Sequence, residues 1–120
     1  MIYLSSPYSH ADPDRMAERF LAVCKVAGIL IGRGVHVFAA ISHSHPIALA
    51  GDLGLGWEFW KGFDLDMLTR CDELWVVDMD GWRESVGVGE EIAWAKQNDK
   101  PVRLVDMFGN DTKVLEWVLE

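Results

Sequence analysis

Short β-forming runs alternate with helical patterns along the whole chain, and this alternation restricts the fold more than any other feature. Met1 to Ser5, Val35 to Ala39, Glu73 to Asp78 and Val102 to Asp106 read as strands. Asp12-Pro13 reads as an N-cap followed by proline at the first helical position, and Met16, Phe20, Val23, Ala27 and Leu30 then recur at helical spacing. Gly32 and Gly34 sit where that helix stops. Further helices are expected over Trp57 to Arg70, Val88 to Asn98 and, closing the chain, Thr112 to Leu119. Ala40 to Gly56 carries polar, proline and glycine punctuation and reads as an excursion over the sheet edge. Strands alternating with helices give a parallel sheet covered on both faces. Ligands of such sheets bind beyond the carboxyl ends of the strands, where strand order reverses. Three segments should therefore meet there: Ser5 to His10, Ala40 to Ala50 and Asp78 to Gly87.

Bulk properties narrow the function. A chain of 120 residues has room for one core, so residues 1–120 are read as a single domain. The net charge of −8 argues against gripping DNA or RNA, whose backbones need clustered Lys and Arg. A small anion is still compatible, because a few amides at a helix start hold one phosphate. The apolar run from Val26 to Ile31 is too short to span a bilayer, and no charged segment precedes an apolar stretch at the N-terminus. Cys24 and Cys71 lie in helical sequence and read as two apolar thiols rather than a disulfide framework. A cytoplasmic protein is expected.

The run Ser85-Val86-Gly87-Val88-Gly89-Glu90-Glu91 follows a strand and opens a helix. Its glycines let a ligand approach the backbone and its free amides. At about 100° per residue, Glu91 shares a side with Val88, Ile92 and Ala95, while Glu90 points away. Glu91 is thus either a favourable charge at a helix start or a nucleophile kept ionised there. On the Trp57 to Arg70 helix, Asp64 falls in the apolar stripe of Trp57, Trp60, Met67 and Leu68, and Asp66 lies at ~160° from it. A carboxylate on a buried face either caps a neighbouring backbone or has a chemical task. His36, His43 and His45 lack a carboxylate or cysteine at metal-site spacing, so no metal is expected. His36 reads as a packed strand residue, and His43 or His45 as a pocket wall. Trp82, in the loop before the glycine motif, is the best candidate to stack on a base; Trp57 and Trp60 fit a core as well. Arg15 and Arg83 are candidate phosphate contacts, with a solvated surface role as the default.

Taken together, Tyr3-Leu4-Ser5-Ser6-Pro7-Tyr8, Asp64-Leu65-Asp66 and Ser85-x-Gly87-x-Gly89-x-Glu91 resemble the nucleoside 2-deoxyribosyltransferase superfamily, nearest its nucleoside 5′-monophosphate N-glycosidase branch. The resemblance runs from the first strand to Pro101. It implies a Rossmann-like, flavodoxin-like parallel sheet of four to five strands. It also implies that Glu91 attacks the anomeric carbon, that Asp64 assists the leaving base and that Tyr3 orients the nucleophile. Ser85, the amides of Gly87 and Gly89, and the Ser5, Ser6 and Tyr8 loop would contact the 5′ end of the ligand; apart from the resemblance, His45 and Trp82 stand as further candidate substrate contacts from their own positions in the sequence. Two positions differ from the family pattern. Ala93 replaces a common glycine, and the Ser5-Ser6-Pro7-Tyr8 loop replaces a glycine-rich one. The transferase branch has Asp at the Ser85 position, so the resemblance implies a preference for 5′-phosphates here.

The expected activity is therefore cleavage or transfer of the N-glycosidic bond of a nucleotide or nucleoside, with no cofactor, through a two-carboxylate mechanism like that of glycosidases. Alternatives are a glycohydrolase acting on NAD or a cyclic nucleotide signal, and a non-catalytic nucleotide sensor. A homodimer or larger assembly is expected, because a nucleotide is large relative to this core and the six tryptophans exceed what one small core needs.

Overall fold

The computed structural model describes residues 1–114, with side chains through residue 110. In chain order the elements are β1 (Ile2–Ser5), α1 (Pro13–Gly32), β2 (Val37–Ala39), α2 (Ala40–Gly51), α3 (Trp57–Thr69), β3 (Glu73–Val77), α4 (Val86–Gln97), β4 (Val102–Val105) and β5 (Asp111–Val114). The sheet order is β2-β1-β3-β4-β5. The first four strands run parallel, and β5 pairs antiparallel with β4. This is the Rossmann-like, flavodoxin-like order, with its switch point between β1 and β3.

Alternation along the strands divides the core in two. Tyr3, Leu74, Val76, Val102 and Leu104 pack with Leu68 of α3 and with Val88 and Ile92 of α4. Leu4, Val77 and Val105 turn the other way, onto Val23, Val26, Ala27 and Leu30 of α1. α1 starts where the sequence places it: Asp12 accepts from the Asp14 amide at 2.9 Å, with Pro13 in the first turn.

Three expectations are corrected. Residues 40–51 form α2 rather than an open excursion. Ala40, Ser44 and Ala48, four apart, are all buried, and this small-residue stripe lets α2 approach α1 and β1 closely. The histidines and Pro46 mask that stripe in the sequence, although proline inside a helix gives up one backbone hydrogen bond. The closing helix expected from Thr112 is replaced over residues 111–114 by β5; the rest of it lies outside the described residues. A tight turn reverses the chain here, with Asp106 accepting from the amides of Phe108 and Asn110 and Gly109 at φ 79°. His36 is exposed and lies just before β2, where only its carbonyl joins the sheet by accepting from the Ile2 amide at 2.9 Å.

Candidate functional site

A cleft of about 470 Å³, including its open mouth, lies at the carboxyl end of β1, walled by α2, α3 and the start of α4. Its inner end is built on β1. Tyr3 and Ser5 are two residues apart and therefore face the same side of the sheet. Both hydroxyls donate to Glu91: Tyr3 to Oε2, and Ser5 to Oε1 at 2.7 Å. Glu91 is 5% exposed and sits on the face of α4 that carries Val88, Ile92 and Ala95, whereas Glu90 is exposed. Burial is the largest influence on Glu91 and pushes its carboxyl up to about 7, against the pull of the Tyr3 and Ser5 hydroxyls. Burial and the Glu91 charge raise the Tyr3 phenol well above its usual range, so Tyr3 stays a donor.

Asp64 lines the same cleft from α3 and is also 5% exposed. Its Oδ1 has no hydrogen-bond partner among the described residues, and burial raises the carboxyl to about 6. With both hydroxyl bonds counted, the Glu91 carboxyl lies at about 7 and the Asp64 carboxyl at about 6, so both titrate near neutrality. Two hydroxyls donate to Glu91, and none among the described residues does so for Asp64 Oδ1. Asp66, two residues on, is an exposed partner of Arg70 at 3.5 Å.

The other expected residues divide. Ser6, Tyr8, Ser85 and Gly87 line the cleft. Ser6 Oγ is buried without a partner among the described residues. Ser85 is the N-cap of α4, accepting from the Val88 amide at 3.3 Å; this cap starts the helix two residues earlier than the glycine pattern suggests. A Cβ on Gly87 would stand 3.2 Å from the Trp57 ring, a contact the ring would have to yield to, while a Cβ on Gly89 would meet nothing. Gly89 is exposed and does not line the cleft. His45 stands behind Tyr8, its Nδ1 2.5 Å from the Tyr8 hydroxyl and its ring stacked on Phe20. It braces the wall without lining it, and burial lowers its pKa. Trp82 is not a stacking surface; it is buried in the core beside Val76 and Val88, with its indole donating to Asp78 at 3.1 Å.

Trp57 and Trp60 take the place expected of Trp82. Both line the cleft, and the Trp57 Nε1 is buried with no partner among the described residues. The signal was in the helix period: Trp57, Trp60 and Asp64 share one face of α3, so an inward Asp64 brings both rings with it. Ala40, Ile41 and Ser44 also line the cleft, from the Ala40 to Ala50 segment expected there; which of its residues face inward follows only from α2. Among the described residues no group of His, Cys, Asp and Glu is arranged to hold a metal ion, and no helix is long and apolar enough to cross a membrane.

A family model described as DUF1937, a domain of unknown function, matches residues 1–107. The chain belongs to the DUF1937 family. The match spans the four parallel strands, the four helices and every residue of the cleft, and ends before β5. No curated protein matches this DUF1937 chain. The family description carries no activity, so the chemistry of the cleft has to supply the functional argument.

Proposed function

We propose that this DUF1937 domain cleaves the N-glycosidic bond of a nucleoside 5′-phosphate, with Glu91 as nucleophile and Asp64 as acid and base. The observation that supports this most is the inner end of the cleft: a buried carboxylate held at both oxygens by hydroxyls, facing a second buried carboxyl whose Oδ1 has no partner. Holding a reactive carboxylate in one orientation is what in-line attack on an anomeric carbon requires. A Glu91 oxygen bonds to C1′ as the C1′–N bond breaks. The electron pair goes to the base nitrogen, which takes the proton from Asp64. Water then bonds to C1′, the ester C1′–O bond breaks, and the now ionised Asp64 accepts the water's proton. A second base in place of water gives transfer.

The phosphate preference rests on the outer end of the cleft. Ser85 uses its oxygen to cap Val88, which leaves its O–H free to donate, and the start of α4 favours an anion. The reading sets the enzyme in the cytoplasm, in keeping with Cys24 and Cys71 as free thiols. It also includes a homodimer across α3, where Phe59 and Phe63, one turn apart, are 55% and 43% exposed beside the cleft wall; a monomer by light scattering would remove that part. The test of the activity is chromatography for released free base across nucleosides, 5′-monophosphates and NAD. Base release from a monophosphate, absent in Glu91→Ala, supports the reading. Binding without release from any of them would favour a nucleotide sensor.

A further inference from the structure

The cleft does not end at the α4 N-terminus. Ser9, Trp57, Ser85 and Gly87 line it and also line a second groove of about 880 Å³, open to solvent. The far wall of that groove is Arg19, Asp80, Gly81 and Glu84. Glu91 lies six residues beyond Ser85 on the helix, a rise of about 9 Å, and its side chain leans back towards the helix start. From C1′ the path O4′–C4′–C5′–O5′–P covers at most about 6 Å at ordinary bond lengths. A 5′-phosphorus thus comes level with Ser85 and Gly87, the threshold between the two spaces. Whatever that phosphate is esterified to enters the outer groove.

Arg19 is held in place there. Its Nη1 donates to the Ser9 carbonyl at 3.1 Å, and its guanidinium lies against the Gly81 backbone. A Cβ on Gly81 would come within 2.6 Å of Nη2, and its φ of 93° independently favours glycine. No carboxylate among the described residues pairs with Arg19, so most of its N–H donors are uncommitted. Asp80 and Glu84 make the groove one of mixed charge. A terminal phosphate would bring extra negative charge against them. A phosphoryl inside a diester carries one charge, and hydroxyls beyond it can donate to carboxylates.

We propose that the outer groove receives the second phosphoryl group of a diphosphate ester, so that the substrate class is a nucleoside 5′-diphosphate ester, of the nucleotide-sugar or dinucleotide kind. Arg19 contacts the outer phosphoryl group, and Asp80 and Glu84 accept from hydroxyls beyond it. This rests on the nucleotide reading of the inner cleft and extends it. The test is calorimetric titration of Glu91→Gln, which binds without turnover, and of Glu91→Gln combined with Arg19→Ala. The probes are monophosphate, diphosphate and diphosphate ester for each base: AMP, ADP and ADP-ribose; GMP, GDP and GDP-mannose; CMP, CDP and CDP-glucose; UMP, UDP and UDP-glucose. For the preferred base, the ester should bind at least about tenfold tighter than the monophosphate. Arg19→Ala should remove that gain and leave monophosphate affinity within about twofold. Equal affinity for monophosphate and ester, or an equal loss of both in Arg19→Ala, overturns the groove assignment and leaves the inner cleft's reading standing. Failure of every probe to bind overturns both.

Discussion

Leu4 turns to one side of β1 and meets Val23, Val26 and Leu30, all apolar and all but fully buried. Tyr3 and Ser5 turn to the other side and meet a buried carboxylate. The same four-residue strand therefore contributes fold stability from one face and the inner end of the candidate site from the other. The α1 side follows the ordinary rule that polar groups stay out of a core. The α3–α4 side departs from it at Glu91, Asp64, Ser6 and Trp57, which all line one cleft, and at His43, whose buried Nδ1 lies against Phe63 outside that lining. A concentration of buried polar groups of that kind costs stability and marks the cleft as the candidate functional site.

The comparison breaks first at Glu91. Glu91→Ala should lower base release by roughly 10³-fold or more while the fold persists, and Glu90→Ala should leave turnover near normal. Near-normal single-turnover rates in Glu91→Ala would refute the nucleophile assignment.

Stability should respond in opposite directions on the two faces. Leu4→Ala should cost about 2–5 kcal/mol at any pH, measured by denaturant unfolding. Glu91→Gln should stabilise, and the gain should depend on pH. The folded carboxyl is raised from 4.5 to about 7. Below the lower value both folded and unfolded states are protonated and nothing is lost. Between the two values the unfolded chain ionises first, so the native protein loses stability as pH rises and levels off above the upper value. The advantage of Glu91→Gln should be small at pH 4 and grow to at most about 3 kcal/mol by pH 8. A flat pH profile would show that the site holds Glu91 as a fully solvated charge.

Smaller effects sharpen the map of the cleft. Ser85→Asp keeps a helix cap but places a carboxylate where a phosphate is proposed. It should weaken a 5′-monophosphate by about ten- to a hundredfold, roughly 1.5–3 kcal/mol, with little change for the nucleoside. Specificity constants for the pair decide it, and equal loss for both ligands would place the 5′ end elsewhere. The least effect is expected at the glycines. Gly87→Ala crowds Trp57 and should reduce ligand affinity several-fold, whereas Gly89→Ala faces open space and should leave affinity unchanged and the helix slightly stabilised. Matching affinity losses in the two variants would show that Trp57 is not held by Gly87.

The parallel strands, α1 and the inward turn of Glu91 and Asp64 were legible because each rests on a local period: two along a strand, 3.6 along a helix. α2 was not, since its packing face consists of Ala40, Ser44 and Ala48, small residues that leave almost no hydrophobic contrast to read. β5 was missed because an antiparallel return depends on the Asp106 to Asn110 turn and on pairing with β4, neither of which the periodicity of residues 112–119 reports. Trp82 was assigned to the pocket from its loop position alone. The indole found a partner in Asp78 and apolar neighbours in the core, which fixes a tryptophan more firmly than nearness in sequence to a motif.

The tether between Tyr3 and Glu91 has a consequence for how the molecule opens. β1 is flanked by β2 and β3, and Tyr3 is fully buried, so its backbone amides should exchange with solvent only in the rarest, near-global openings. Glu91, the proposed nucleophile, is fastened to that strand. Ser9, in an exposed loop, and the start of α3 lie at the margin, where local openings need less free energy. Fluctuations that admit and release a ligand can therefore run through the rim many times while the carboxylate keeps its aim.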